Sequence, residues 1–319
     1  MHNTKKSKVA ALMLLLSTLL SGVLAPHPAS AAAPMAKTAA PGFYRTMLGS
    51  FEITAISDGT LALPVDAFLS QAPEKTRREL ARSFIKLPYD MSFNAYVVNT
   101  GDKLILIDAG AGAFVGPTLG RFVANLEASG YKPEQVDDIF ITHLHPDHFG
   151  GLIADGKMRF PNAKIHVDQH DADYWLNPAN AASVAKEMQP WFEQAGIAFP
   201  PYAAASRFLP FQGSTEFYPG VRADAAYGHT PGHTVYVVES DGATMYIVGD
   251  TIHVGPVQFP HPEVTISADT DSKAASASRD RIFSAAEKSG ALIAAAHIPF
   301  PGIGHLRKTG KSYTWIPLN

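Results

Sequence analysis

A chain of 319 residues, 46% hydrophobic and 17% charged, is long enough to bury one large α/β core or two small ones. Its formal net charge of −3 argues against strong electrostatic attraction to nucleic acid or to an anionic membrane. With no cysteine there is no disulfide and no thiolate nucleophile or ligand, so a metal site would have to be built from His and Asp.

Lys5, Lys6 and Lys8 precede a mostly apolar run over 9–24, and Ala29-Ser30-Ala31 supplies a small-residue cleavage site. Residues 1–31 are therefore expected to be a signal peptide, leaving a periplasmic or secreted protein with no membrane anchor. Residues 32–42 are Ala-rich and read as a flexible extension, and 43–319 as the folded domain. Alternation over 51–56, the pair Asp58-Gly59 and a second extended run over 60–63 predict a β-hairpin. The spacing of Leu80, Ala81 and Phe84 predicts a helix over 73–84. A second hairpin is expected from 92–99 and 103–108, where 104–107 is apolar on both faces and belongs inside a covered sheet.

An amphipathic helix over 119–129, closed by Gly130, leads to a strand over 138–142. In the second half, 164–167 predicts a strand, and 172–176 and 183–195 predict helices, the latter ended by Gly196. Asp241-Gly242 joins strands over 235–239 and 243–248. A helix over 272–289 stops at Gly290, a buried strand over 291–296 follows, and 313–317 is an edge strand. Each half runs from hairpins to strand–helix alternation with no linker between them. The economical architecture is two sheets face to face with helices outside, an α/β sandwich.

The chemistry is concentrated in Thr142-His143-Leu144-His145-Pro146-Asp147-His148, with three histidines and an aspartate within six residues. His143 and His145 are two apart, so a backbone leaving the strand in extended form points both rings to one side. Pro146 ends the strand, and Asp147 and His148 fall in a turn that can face a second point nearby. One metal held by the first pair and another by the second is the natural geometry, since imidazole and carboxylate are ligands for zinc and related cations. Asp108, His229, Asp250 and His297 also stand where strands are expected to end.

Asp108-Ala109-Gly110, His143-Leu144-His145-Pro146-Asp147-His148, Gly228-His229-Thr230-Pro231-Gly232-His233, Gly249-Asp250 and the late His297 resemble, in order, the metallo-β-lactamase-fold hydrolases. The resemblance runs from about residue 43 to the C-terminus. Gly42-Phe43-Tyr44-Arg45, Ser57-Asp58-Gly59-Thr60, Gly116-Pro117-Thr118-Leu119-Gly120-Arg121 and Phe300-Pro301-Gly302-Ile303-Gly304-His305 are most similar to the methyl parathion hydrolases and their lactonase and arylesterase relatives. The resemblance implies an αββα sandwich with the site at one edge. It implies that His143, His145 and His229 hold one metal, that Asp147, His148 and His297 hold the other, and that Asp250 bridges them. Two divalent ions, zinc by default, would sit roughly 3.5–4 Å apart and share a hydroxide that attacks a carbonyl or phosphoryl centre. Asp147 and Asp250 are thus the carboxylates expected beside the reacting atoms.

Asp108 would steady the histidine loop from behind, and His233, after a Pro-Gly turn, is expected to hydrogen-bond inside the fold. His166, His170 and His261 read as surface or helix-cap residues, and Asp155, Asp168 and Asp173 as solvated. The resembling enzymes carry an aromatic cluster near the site, which directs attention to Phe114, Trp175, Trp191 and Phe192. Their pattern has phenylalanine, arginine and leucine at the places of Val115, Phe68 and His253. The polar ring of His253 should disfavour bulky hydrophobic phosphotriesters. The expected substrates are therefore small lactones and aryl esters, with organophosphate triesters alongside, and the expected assembly is a homodimer. A β-lactamase or thioesterase of the same fold is the alternative. The non-hydrolytic rivals are a metal-binding protein and a diiron redox protein, whose family pattern has glutamate at the place of His145.

Overall fold

Runs of alternating or wholly apolar residues assemble into two large sheets. The computed structural model describes Met35 and residues 42–318. The first sheet contains β1 (Phe43–Leu48), β2 (Phe51–Leu63), β3 (Tyr89–Asn99), β4 (Leu104–Ile107) and β5 (Asp138–Phe140). After a small hairpin of β6 (Ile153–Ala154) and β7 (Lys157–Met158) it is completed by β8 (Lys164–His166), in the order β1-β2-β3-β4-β5-β8. The second contains β9 (Glu216–Tyr218), β10 (Val221–Ala225), β11 (Thr234–Ser240), β12 (Ala243–Ile247), β13 (Leu292–Ala294), β14 (Ile303–Thr309) and β15 (Ser312–Pro317), which pair in sequence from β15 to β9. The β4–β5, β5–β8 and β12–β13 pairs are parallel.

Period-two alternation decides what each strand face meets. Tyr96, Val98, Ile105 and Ile107 from the first sheet share a core with Tyr236, Val238, Met245 and Ile247 from the second. The intervening Ala95, Val97, Leu104 and Leu106 face outward onto Phe122, Leu126, Trp175 and Phe192 of flanking helices. Val235, Val237 and Ile293 pack outward on Ile282, Phe283 and Ala286 of the helix Ser272–Ser289. The layers are therefore helix, sheet, sheet, helix. Truncating a fully buried ring between the sheets, such as Phe140→Ala, should cost about 3–5 kcal/mol through lost transfer energy and the cavity left behind.

The helix Ser272–Ser289 keeps its expected bounds because both ends are capped: Asp271 accepts from Ala274 N–H, and Gly290 adopts φ 69°. Elsewhere the structure corrects local expectations. Residues 51–63 are one continuous strand rather than a hairpin, with a bulge between Ser57 and Gly59. The Asp58 carboxylate is buried and accepts the backbone N–H groups of Ala111, Gly120 and Phe122, so this residue anchors a distant loop instead of turning the chain. The second-half helix begins at Gln189, not 183, and runs through Gly196 to Ala198. Pro190 is tolerated only in a first turn, which forces 183–188 into short 3-10 turns and bends. The expected signal peptide and extension lie outside the described residues, apart from Met35 and Gly42. Among the described residues no helix is long and apolar enough to cross a membrane.

Candidate metal centre

The parallel strands deliver the chemistry. Asp108 follows β4, residues 142–148 follow β5, Asp250 follows β12 and His297 follows β13, so all emerge at one edge of the sandwich. His229 arrives from the loop between β10 and β11. Gly249 makes the approach of Asp250 possible: it adopts φ 48°, and a Cβ there would stand 2.9 Å from Thr142 and 3.0 Å from His233 Nε2.

His143, His145, His229 and Asp250 form one group of side chains whose candidate ligand atoms lie within 4.8 Å of one another, and Asp147, His148, Asp250 and His297 form a second. Asp250 belongs to both. Its Oδ2 is 3.5 Å from His143 Nε2 and 3.2 Å from His229 Nε2, while its Oδ1 is 3.1 Å from His148 Nε2 and 3.0 Å from His297 Nε2. One carboxylate thus offers a separate oxygen to each group. Asp147 Oδ2 lies 3.2 Å from His148 Nε2 and 3.5 Å from His297 Nε2.

The outward faces of the rings fix their tautomers. His148 Nδ1–H donates to Asp108 over 2.8 Å, His229 Nδ1–H to Asp269 over 2.8 Å, and His297 Nδ1–H to the Ser92 carbonyl over 3.0 Å. His143 Nδ1 meets Thr142 Oγ1 at 3.1 Å. Each ring is left with Nε2 turned inward, the orientation that outer hydrogen bonds give to metal-binding imidazoles. The Nε2 atoms of His143 and His148 and the Oδ1 of Asp250 are buried without a hydrogen-bond partner, and His145 turns its Nδ1 to within 3.0 Å of His229 Nε2. Buried polar atoms are rarely left so, because an unsatisfied one costs about 1–3 kcal/mol. The donor set therefore fits two divalent cations.

Electrostatics agree with that fit. Burial lowers His143 and His145 well below the ordinary histidine range, so both are neutral and keep their lone pairs. Burial also opposes protonation of His148, His229 and His297, but the neighbouring carboxylates outweigh it and all three are raised, His229 to about 9. Burial works against the Asp250 carboxylate, yet His297 and His148 hold it well below its usual range. Without cations, protons on histidine balance the buried aspartates. A metal would displace them.

Supporting residues lie behind the ligands. Asp108 adopts φ 64° and accepts Thr142 N–H at 2.7 Å and Thr142 Oγ1 at 2.9 Å in addition to His148. His233 is buried and held neutral, lowered to about 3 mainly by burial; its Nδ1–H donates to Ala226 O and its Nε2 accepts Asp250 N–H at 3.0 Å. Asp171 ties the two histidine loops together by accepting Leu144 N–H, Thr230 Oγ1–H and Gly232 N–H. Neither Asp171 nor Asp269 stands out in the sequence, since each is one of several acids in a polar stretch and such acids read as solvated. Asp168, expected to be solvated, is fully buried and receives His170 N–H, Gly213 N–H and Tyr227 O–H.

A cavity of about 450 Å³ opens onto His145, Asp147, His229, Asp250, His253 and His297. Phe68, Trp191 and His253 line it, together with Leu63, Met91, Phe93, Met188 and Ile266. Three expected pocket residues do not. Trp175 is fully buried behind His145, edge-on to its ring at 5.1 Å. Phe114 packs edge-to-face on Phe149 at 6.1 Å, and Val115 is a third exposed on the outer surface. An aromatic residue serves core or pocket equally well, so its sequence position alone did not separate Trp175 from Trp191. His253 Nε2 is 3.0 Å from Asp250 Oδ2, and its ring stacks on His297 at 5.1 Å. A larger, open groove of about 760 Å³ beside Lys273 and Lys311 includes none of these residues.

Comparison with known proteins agrees with this geometry. The chain is 39% identical to the hydrolase AbOPH, a solved structure in the β-lactamase superfamily, with a TM-score of 0.84 over 88% of this chain and 99% of that one. It is 27% identical to AidC, a dizinc quorum-quenching lactonase solved with a product, with a TM-score of 0.77 over 87% and 98%. An N-acyl homoserine lactonase from Bacillus sp is 28% identical over 171 residues, which is 48% of this chain and only 60% of the lactonase. The sequence pattern of the metallo-β-lactamase superfamily matches residues 90–297, the span that contains every histidine and aspartate of both groups. The chain belongs to the metallo-β-lactamase superfamily.

Proposed function

We propose that this protein is a metal-dependent hydrolase that holds two divalent cations, zinc first among them, and cleaves small lactones and aryl esters, with organophosphate triesters as further substrates. The observation that carries this is Asp250, whose two oxygens face two separate sets of inward Nε2 atoms at 3.0–3.5 Å. When bound, the cations supply a nucleophile from water at neutral pH and polarise the carbonyl or phosphoryl oxygen of the substrate. The chain itself does the rest. Asp250, Asp147 and the histidines hold the charge in place on a floor fixed by Asp108, Asp269, Asp171 and His233. Phe68, Met188, Trp191 and Ile266 take the apolar part of the substrate and exclude water from the floor.

The lining contains Glu187 and no lysine or arginine. A β-lactam carrying a carboxylate would find no lysine or arginine in the wall to receive it, which favours uncharged esters over the β-lactamase alternative. The tripartite N-terminus supports export, with a mature protein beginning near Ala32. N-terminal sequencing of exported protein that still showed Met1 would overturn that part. The function is tested on purified protein from zinc-replete cells, by elemental analysis and a turnover screen across lactones, aryl esters, phosphotriesters and β-lactams. Two metals per chain with turnover of the first classes is the expected result. Two metals without hydrolysis of any ester would refute it.

A further inference from the structure

Arg279 projects from the helix Ser272–Ser289 into the molecule, where its side chain is only 1% exposed. No carboxylate pairs with it among the described residues. It donates instead to three backbone carbonyls: Nε to Thr251 O at 2.5 Å, and Nη1 to Pro262 O at 2.7 Å and Val264 O at 2.8 Å. Burial lowers it to about 10, so it remains a cation at neutral pH. Asp269 and Glu263 act on this charge only from a distance, so backbone carbonyls carry its hydrogen bonds, and the carbonyls it selects are informative. Thr251 follows Asp250 directly. Val264 leads into the stretch that forms the lip of the cavity, where Ser70 N–H donates to Thr265 O and Ser267 N–H to Phe68 O. That stretch ends at Asp269, which holds His229. Gln258 supports the same segment, accepting His253 N–H and Val254 N–H and donating to Val264 O.

We propose that Arg279 is a positioning residue that couples the two halves of the site, setting Asp250 through Thr251 and setting the Phe68–Ile266 lip through Val264. This rests on the hydrolytic role proposed above. The rigid fork of a guanidinium spans both attachment points, whereas a lysine ammonium reaches one of them at a time.

The test uses full-length Arg279→Met and Arg279→Lys, each loaded with zinc or cobalt. Thermal unfolding, metal affinity by chelator competition, the visible spectrum of the cobalt form and kcat/KM for a short and a long acyl ester are measured. Metal affinity should fall by about tenfold to a hundredfold in Arg279→Met. Its cobalt spectrum should shift, and its short-to-long substrate ratio at full loading should change. Arg279→Lys should recover the melting temperature while leaving metal affinity and the substrate ratio impaired. If Arg279→Met does not fold, the lysine variant decides by the same readouts. A lower melting temperature with wild-type metal affinity, cobalt spectrum and substrate ratio would make Arg279 a fold staple and overturn the proposal. A wild-type protein that binds both metals and hydrolyses nothing would remove the hydrolase function, while affinity and spectrum still decide Arg279.

Discussion

His229 donates its Nδ1–H to Asp269 across 2.8 Å, although Asp269 lies 40 positions further along the chain, beyond β11, β12 and Asp250. The Asp269 carboxylate is almost fully enclosed and also accepts Ile266 N–H, so it holds the ring from behind and the cavity lip from the side. Asp269→Ala should therefore weaken metal affinity by about tenfold to a hundredfold, as loss of such outer partners typically does. Chelator competition on the purified variant measures this. Wild-type affinity would mean that His229 is oriented by packing alone.

Asp250→Ala should lose both cations together rather than one, because each group depends on a different oxygen of the same carboxylate. Elemental analysis after dialysis should find neither metal retained, and ester turnover should be nearly abolished. Retention of two metals with normal turnover would show that Asp250 does not bridge.

The cation-free protein should be less stable in base. His229 is raised from 6.5 to about 9, burial opposing its protonation but the hydrogen bonds to Asp250 and Asp269 outweighing it. Its proton therefore stabilises the fold fully below pH 6.5, and that contribution is lost as pH rises through about 9. The loss is up to about 3 kcal/mol, or roughly 5–10 °C in melting temperature. His148 and His297, also raised, act in the same direction. Melting curves in EDTA from pH 6 to 10 should show the decline, and zinc should flatten it by replacing the proton. A flat curve in EDTA would contradict the assignment.

His253→Leu should raise kcat/KM for a dialkyl nitrophenyl phosphotriester relative to an aryl lactone by about tenfold to two-hundredfold. His253 is buried at the cavity floor and held neutral mainly by burial, so its effect comes from ring polarity and shape rather than charge. Because it touches Asp250, the comparison must be a ratio taken on one preparation with both metals loaded. An unchanged ratio, or a move towards the lactone, would remove His253 as a selectivity wall.

The residues that meet the candidate metals were legible in the chain because ligand types are scarce and their spacing is local. His143, His145, Asp147 and His148 sit in one short segment, and Asp250 and His297 each follow an apolar run that reads as a buried strand. The sandwich was legible for the same reason: the wholly apolar run of β4 names a strand buried on both faces, and one chain can satisfy both only by stacking layers. Tertiary structure alone decided what lies behind and around the site. Asp58, Asp171, Asp269 and Arg279 carry no local mark that sets them apart from other charged residues, and whether such a group is solvated or buried depends on backbone N–H and C=O groups brought in from far along the chain. The same holds for the cavity wall. Trp175 and Trp191 are equally apolar, and only packing of the helix Gln189–Ala198 against the histidine loop puts one behind His145 and the other in front of it.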